Sequence, residues 1–505
     1  MSEKLERYDW AWVGLLMGVA LAVRLAYVRS VVFPPLDDPA FYLSVARNVV
    51  AGRGLVIDAL WSYRGGFPTV THPAFEHWMP LPSLLMVPWM VLLGATLRAG
   101  QVPGLLMGAA LAPLTYLLGL GRLGWRLALA AGLLVASNVT LAYQSASADS
   151  AAPYALIGLL ALWAASGRRW GLAGLLAGLG YLTRADGLLL GVVAVGTLLW
   201  AAHQECWSWR QGLAALGATT GGWMFVVGPW LVRQWLAFGT PVPLPAVEVA
   251  LLPDYLAFFR YPPDVGPPVS GVAFWGLRWA GLCHNLGVFL VTTFPWGALG
   301  VVGLAHLWNR DWTWRVSAIY SLLLFLFTAL VFPVTTLAGT YYHSLGATVP
   351  LLALGAVAAV AAGLRWMSAR RGVRRTYLDV ATIALLALAA GQLALALPVV
   401  AQRHRIEQVM FETVASSLEE HIPADATIMT TQPHTLHWVT SRLAIVLPPN
   451  DPPHAAQVAA RAYGAEWLVI TQTWGPYPAA AAGFPLLVSD EGGGGQIYRL
   501  EDLDQ

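Results

Sequence analysis

Residues 73–97, PAFEHWMPLPSLLMVPWMVLLGATL, decide the topology of this chain: they are apolar enough to enter a membrane, yet Pro73, Pro80, Pro82 and Pro88 interrupt them. A crossing helix needs about 20 consecutive apolar residues. A proline inside it removes a backbone donor and clashes with the preceding turn. The rest of the chain is unmistakably polytopic. Its 505 residues are 57% hydrophobic and only 11% charged, with a mean hydropathy of +0.60, too apolar for a soluble exterior. Spans of suitable length lie near 10–33, 102–120, 125–142, 150–166, 170–183, 186–203, 212–238, 286–307, 314–333, 344–363 and 377–400. That makes about 11 transmembrane helices without residues 73–97.

The distribution of basic residues settles whether 73–97 is a further span. If it does not cross, the cytoplasmic side receives Lys4 and Arg7, Arg122 and Arg126, Arg168 and Arg169, Arg210, Arg310 and Arg315, and the cluster Arg365, Arg370, Arg371, Arg374 and Arg375. Loops 143–149 and 334–343 on the opposite side then carry no Lys or Arg, as the positive-inside rule asks. If it crosses, the richest basic cluster ends up outside. Residues 73–97 are therefore expected to be a re-entrant or surface-lying helix pair within a first outer loop, 34–101. The N-terminal Met1–Asp9 with Lys4 and Arg7 imitates a secretion signal, but the apolar run continues to Phe33 with no cleavage pattern, so a retained first helix is expected. Lys4 is the only lysine; the arginine bias is read as compositional. A net charge of +2 makes no case for nucleic acid. Cys206 and Cys283 are expected in loops on opposite sides, which leaves no disulfide framework.

After Ala401 the pattern changes. Arg403–His421 is amphipathic, with Ile406, Val409, Met410, Val414 and Leu418 at helical spacing. Strands are expected at Ala426–Thr431, Arg442–Leu447 and Glu466–Thr471, a helix at His454–Tyr463, and a turn or flexible loop at Gly492–Gly495. The chain thus divides into a transmembrane domain, 1–400, and a small α/β domain, 401–505, placed outside by the odd number of spans.

Ionisable groups at a membrane boundary are functional by default when they face a cavity. Asp37-Asp38, in PPLDDPAFY after the first span, are the first candidates. One of them can cap a helix with Pro39 at its first position, which leaves the other free for chemistry. His72, Glu76 and His77 stand at the start of the proline-broken segment. His72 and Glu76, four apart, can share a helical face and hold a metal or a phosphate; a divalent ion (Mg, Mn or Zn) is the cofactor to consider. Asp149 is a lone carboxylate in a loop of small residues, with a solvated loop residue as the plain alternative. Arg184, in YLTRADG, suits a lipid phosphate because its guanidinium offers a planar fork of donors. Its structural alternative is an ion pair with Asp186. Tyr342 and His343 open the tenth span, where an interfacial aromatic belt is the alternative.

The order of these segments resembles the GT-C superfamily of integral-membrane glycosyltransferases, which includes protein O-mannosyltransferases and the aminoarabinose transferase of lipid A. The resemblance is carried by Asp37-Asp38 with Tyr42 and Ala46 through Gly52-Arg53-Gly54, Thr71-His72-Pro73, Asp149, Leu182 through Gly187, Phe238 through Pro243, and Tyr341-Tyr342-His343 before Pro350. The first-loop pair is Asp-Asp where that superfamily often has Asp-Glu, and the later motif is His-Pro-Ala where it often has His-Pro-Pro or Lys-Pro. The subfamily and the sugar stay open. No Trp-Trp-Asp-Tyr-Gly signature is present, which speaks against en bloc transfer to asparagine. The resemblance implies an inverting transferase on the outer face of the cytoplasmic membrane, taking a sugar from a polyprenyl-phosphate donor to a lipid, glycan or protein acceptor. It implies Asp37 as general base, with Asp38 and Asp149 beside it, and His72, Arg184, Tyr342 and His343 on the donor phosphate. Glu76 and His77 are left for acceptor or metal. The competing expectation is a transporter or flippase of a lipid-linked saccharide, which should show two related halves; no internal repeat is visible.

Overall fold

The computed structural model describes residues 7–34, 37–242, 249–250, 252–264, 269–371, 376–451, 453–471, 484–489 and 495–500. The first apolar run forms α1, Arg7–Ser30, and PPLDDPAFY then opens α2, Asp37–Val50. Strands β1 (Val56–Ile57) and β3 (His72–Pro73) pair antiparallel, with β2 (Ala59–Leu60) between them in sequence. The ambiguous segment resolves into extended chain followed by α3, Leu81–Leu93. At 13 residues, α3 is about 20 Å long against a hydrocarbon core of about 30 Å.

The bundle continues with α4 (Leu97–Leu123), α5 (Trp125–Ala136), α6 (Val139–Ala146), α7 (Ala151–Ser166), α8 (Trp170–Thr183), α9 (Leu188–Gln204) and α10 (Trp209–Phe238). Next come α11 (Gly271–Thr293), α12 (Gly297–Leu307), α13 (Trp312–Val331), the short α14 (Pro333–Leu337) and α15 (Thr340–Ser344), α16 (Val349–Arg371) and α17 (Thr376–His421). Among the described residues, seven helices are long and apolar enough to cross a membrane, or up to nine if each bent pair is one span. Helices α7 and α8, expected to span, have 16 and 14 residues, fewer than the roughly 20 of a full crossing.

The span expected at 286–307 is instead α11 and α12, which meet at 95°, and Cys283 lies within α11 rather than in a loop. The amphipathic stretch 403–421 is no separate helix but the last part of the 46-residue α17. The span expected at 125–142 is bent by 51° between α5 and α6. Asn138 caps α6 by accepting from Leu141 N, and the freed carbonyl of Ala136 accepts from Arg24 Nη1 at 3.1 Å. Arg24 is fully buried, so this cation at the C-terminal end of α5 satisfies the break inside the bundle. Close helix contacts rest on glycine. A Cβ at Gly303 of α12 would lie 1.8 Å from the Gly355 carbonyl of α16, the small-residue packing usual in membrane bundles.

The C-terminal region adds β4 (Thr427–Thr430), α18 (Pro433–Thr440), β5 (Ala444–Val446), α19 (His454–Tyr463), β6 (Ala465–Ile470), β7 (Leu486–Ser489) and β8 (Gln496–Arg499). The expected strands and helix are all present; Gly492–Gly494 lie outside the described residues. The sheet has the order β2-β5-β4-β6-β8-β7, with β2, β5, β4 and β6 parallel. Its first strand comes from the first loop: Ala59 pairs with Ala444 and Leu60 with Ile445. The first loop and the C-terminal region therefore share one side of the membrane, and the chain crosses an even number of times between them.

Asp58 pins this junction. It takes both guanidinium nitrogens of Arg53, at 2.6 and 2.7 Å, and the Thr71 hydroxyl at 2.8 Å, with His437 Nε2 3.8 Å away. Burial pushes its carboxyl up, but the Arg53 pair and the other donors hold it at about 2. A depressed pKa contributes stability above the ordinary carboxylate range and loses it as pH falls through the folded value. Asp58→Asn is expected to destabilise the protein by roughly 1–3 kcal/mol at neutral pH. In thermal unfolding scans, the difference from the unaltered protein should shrink as pH falls from 4 towards 2.

Candidate active site

Helices α2, α6–α7, α8 and α15 bring the sequence candidates together at the loop-side end of the bundle. Asp149 ends the turn after α6, where its Oδ1 accepts from Ser150 N at 2.5 Å and from Ser150 Oγ at 3.1 Å. Its Oδ2 lies 2.8 Å from His343 Nδ1. Burial works against the Asp149 charge, but His343, the Ser150 amide and Arg184 outweigh it and keep the carboxylate below its ordinary range. Asp38 has the opposite balance. Burial, then repulsion from Asp149, raises its pKa, with His343, Arg184 and a hydrogen bond from Trp78 pulling the other way. Two carboxyls in one site are thus driven apart, one held ionised and one poised to exchange a proton. Tyr42, one helical turn on in α2, faces the same charges and Ser150.

Arg184 joins this cluster, but not alone. Its Nε reaches Asp186 Oδ1 at 3.1 Å and Ser344 Oγ at 2.9 Å, Nη1 reaches Ser150 Oγ at 3.1 Å, and Nη2 the Thr340 carbonyl at 3.4 Å. Ser344 also donates to Asp186. Side chains two apart do not face each other on a helix, which argued from sequence against the Asp186 pair. Arg184 is not helical: it ends α8 with extended backbone, φ −152° and ψ 140°. The ion pair forms because of that extended residue.

Asp37 turns elsewhere. Its Oδ1 accepts from Thr435 N at 3.0 Å and Thr435 Oγ1 at 2.9 Å, so it is bonded to α18 of the C-terminal region. Burial pushes its carboxyl up to about 7, although the Thr435 bonds pull it down.

His72 and Glu76 form a second group. His72 Nδ1 lies 2.7 Å from the Val70 carbonyl, its ring stacks on Phe67 at 4.1 Å, and Nε2 is 3.6 Å from Glu76 Oε1. They do not share a helical face, since His72 lies in β3. Burial opposes the Glu76 charge, but His72 holds its pKa below the usual range. His72 Nε2 and Glu76 Oε2 are buried without hydrogen-bond partners. Arg233, near the end of α10, lies within electrostatic reach of Glu76 and against Trp230 and Phe238. It is flanked by exposed Val232, Trp235 and Leu236, which marks a lipid-facing boundary. His77 is enclosed by Trp61, Trp78 and Phe258, and burial lowers its pKa to about 4. Tyr342 packs at 5.3 Å against His343, and its carbonyl accepts from Gln144.

Sequence reasoning missed Trp78, Ser150, Ser344 and Arg233. Arg233 carried a signal, a lone cation in an apolar run; the other three carried none. Among the described residues no three His, Cys, Asp or Glu side chains converge to hold a metal ion. The His72–Glu76 pair supplies two ligands only, so no step is derived through a metal.

This fold is shared with solved structures of ArnT and of an archaeal oligosaccharyltransferase. The chain superposes over 98% of its length on 98% of ArnT from Cupriavidus metallidurans bound to undecaprenyl phosphate, with a TM-score of 0.61 at 14% identity. For the apo state of that protein the TM-score is 0.58 at 15% identity, covering 97% of this chain and 98% of that one. The Archaeoglobus fulgidus oligosaccharyltransferase in its apo form gives a TM-score of 0.57 at 12% identity, covering 93% of this chain and 70% of that one. No family model and no curated protein matches the sequence.

Proposed function

We propose that the protein is an inverting glycosyltransferase that moves a sugar from a polyprenyl-phosphate donor to an acceptor hydroxyl or amine. One observation carries this reading: within a GT-C fold, a poised carboxyl (Asp38) and an ionised one (Asp149) share a site with Arg184 and His343 beside the membrane boundary. Asp38 takes the proton of the acceptor O–H or N–H as that atom bonds to the anomeric carbon. The bond from that carbon to the phosphate oxygen breaks on the opposite face, and its electron pair leaves with the polyprenyl phosphate. The base role thus moves one residue along from the sequence expectation, because Asp37 is already bonded to Thr435.

The phosphate itself fits best at His72 and Arg233. Around Arg184 stand Asp38, Asp149 and Asp186, three carboxylates against one arginine and one histidine. Beside Arg233 and His72 stands Glu76, with Asp58 near by on Thr71 but already paired with Arg53, and exposed apolar residues on α10 leave room for an isoprenoid tail. ArnT, solved with undecaprenyl phosphate, supports a lipid phosphate as the ligand.

Purified protein incubated with a panel of polyprenyl-phosphate sugars and candidate lipid, glycan and protein acceptors is expected to release polyprenyl phosphate and form a product of inverted anomeric configuration. No release from any donor, or retention of configuration, overturns the reading. Action at the outer face of the cytoplasmic membrane has its own test. With Cys206 and Cys283 replaced, Ser416→Cys is expected to react with an impermeant thiol reagent in intact cells, and Ser368→Cys to react only after lysis. The reverse pattern inverts the topology.

A further inference from the structure

We infer that Asp37 is a latch rather than a proton carrier: it fastens helix α18 of the C-terminal region against α2, and α18 in turn holds the catalytic Asp38 in place. This rests on the glycosyltransferase reading, but the physical case is independent of it. Helix α18 has no cap of its own, since its N-cap residue, Gln432, makes no side-chain hydrogen bond to the helix. The first N–H groups of a helix lack intrahelical acceptors. Asp37 supplies the acceptor from nearly 400 residues away in sequence, taking the Thr435 amide and hydroxyl. Arg47, at the other end of α2, donates to the Trp438 carbonyl at 3.2 Å, lies over the Trp438 ring and reaches His437 Nε2 at 3.1 Å. A carboxylate thus sits at the positive end of α18 and a guanidinium at its negative end, the arrangement its dipole favours.

His434 transmits this docking to the site. It is fully buried, its ring lies 5.0 Å from Phe41 and 5.2 Å from Trp78, and neither ring nitrogen has a hydrogen-bond partner. Trp78 stacks on Phe41 at 4.4 Å and donates to Asp38. The side chain that orients Asp38 is therefore wedged in place by a residue of the C-terminal region. Its ring, packed edge-on against both Phe41 and Trp78, fills the space beside the side chain that donates to Asp38, which gives it the role of a wedge. The adjacent carboxylates thereby divide the work: Asp37 positions and Asp38 reacts.

The test uses full-length protein and two readouts, amide hydrogen exchange over residues 433–440 and turnover against pH. Asp37→Ala is expected to speed exchange about 2- to 30-fold, the loss of a helix cap, and to cut turnover while moving its acid limb, because Trp78 no longer holds Asp38 firmly. Asp37→Asn keeps an oxygen acceptor, and asparagine caps as well as aspartate; exchange and turnover should stay within about threefold of the unaltered protein. Thr435→Val, which keeps the amide donor, should fall between the two. If Asp37→Asn is as inactive as Asp38→Asn, Asp37 is the base and the latch is wrong. Unchanged exchange in Asp37→Ala also overturns the latch, whatever the donor assay gives. If the unaltered protein turns over no donor, the glycosyltransferase reading falls, and exchange alone decides the latch.

Discussion

Asp38→Asn is expected to lower turnover by about 10²–10⁴-fold, the usual contribution of a positioned general base, with little change in the apparent affinity for donor. The amide keeps the size of the side chain and can still accept from Trp78, but it cannot take a proton. Folding should not suffer. Asp38 is enclosed beside Asp149, so its charge is held at a cost through desolvation and repulsion, and removing that charge relieves both. The thermal midpoint should stay the same or rise, the trade expected of a functional group kept at the expense of stability. On the proposed base role, the raised pKa of Asp38 sets the acid limb of turnover in the unaltered protein. The base must be ionised, so activity rises with pH through a value above the ordinary carboxylate range of about 4. If Asp38→Asn retains turnover within about tenfold while Asp149→Asn collapses, the proton goes to Asp149 and the roles must be exchanged.

Most helices were legible in the sequence, because a span follows from a rule that acts locally, about 20 consecutive apolar residues. The bend between α11 and α12 did carry a signal that the span reading passed over: Pro295 stands in the break between them, and proline removes a backbone donor and clashes with the preceding turn. The strand β2 was invisible. Two residues, Ala59-Leu60, carry no period, and they are extended only because Ala444 and Ile445 offer an edge. At the site, sequence found Asp38, Asp149, Arg184 and His343 because charge is scarce and each charge near a span boundary calls for a reason. It could not divide Asp37 from Asp38, since the division is made by Thr435 and Trp78, one from the far end of the chain. It offered Asp186 as a partner of Arg184 but could not choose that pair over a phosphate, because the contact depends on one extended residue between two helical ones. Arg24 was readable in principle, one of two cations with Arg29 inside the first apolar run, and its use at the α5–α6 break shows why the membrane tolerates it.

Arg184→Gln is expected to act on the base rather than on the donor. Arg184 is bonded to Asp186, Ser344, Ser150 and the Thr340 carbonyl, and its charge is among the forces that keep Asp38 from rising further. A nearby opposite charge favours the ionised form of a carboxyl, by about 1–3 pKa units in ordinary cases. Removing the cation leaves Asp186 and Asp149 less compensated and makes Asp38 harder to ionise. The sign follows directly: the acid limb of turnover moves to higher pH, by about 1–2 units once solvent screening is allowed for. Stability should fall too, by roughly 3–5 kcal/mol, since the buried Asp186 keeps the Ser344 hydroxyl but loses its cation. The donor KM should change little. Arg233→Gln is the contrast, because a lost charge-assisted bond to phosphate is worth about 1.5–3 kcal/mol. That variant is expected to raise the donor KM about 10- to 150-fold, with the acid limb unmoved. The two variants thus separate the charges that tune the base from those that hold the leaving group. A donor KM raised at Arg184→Gln with no shift of the acid limb would return the phosphate to Arg184 and leave Arg233 as a boundary anchor.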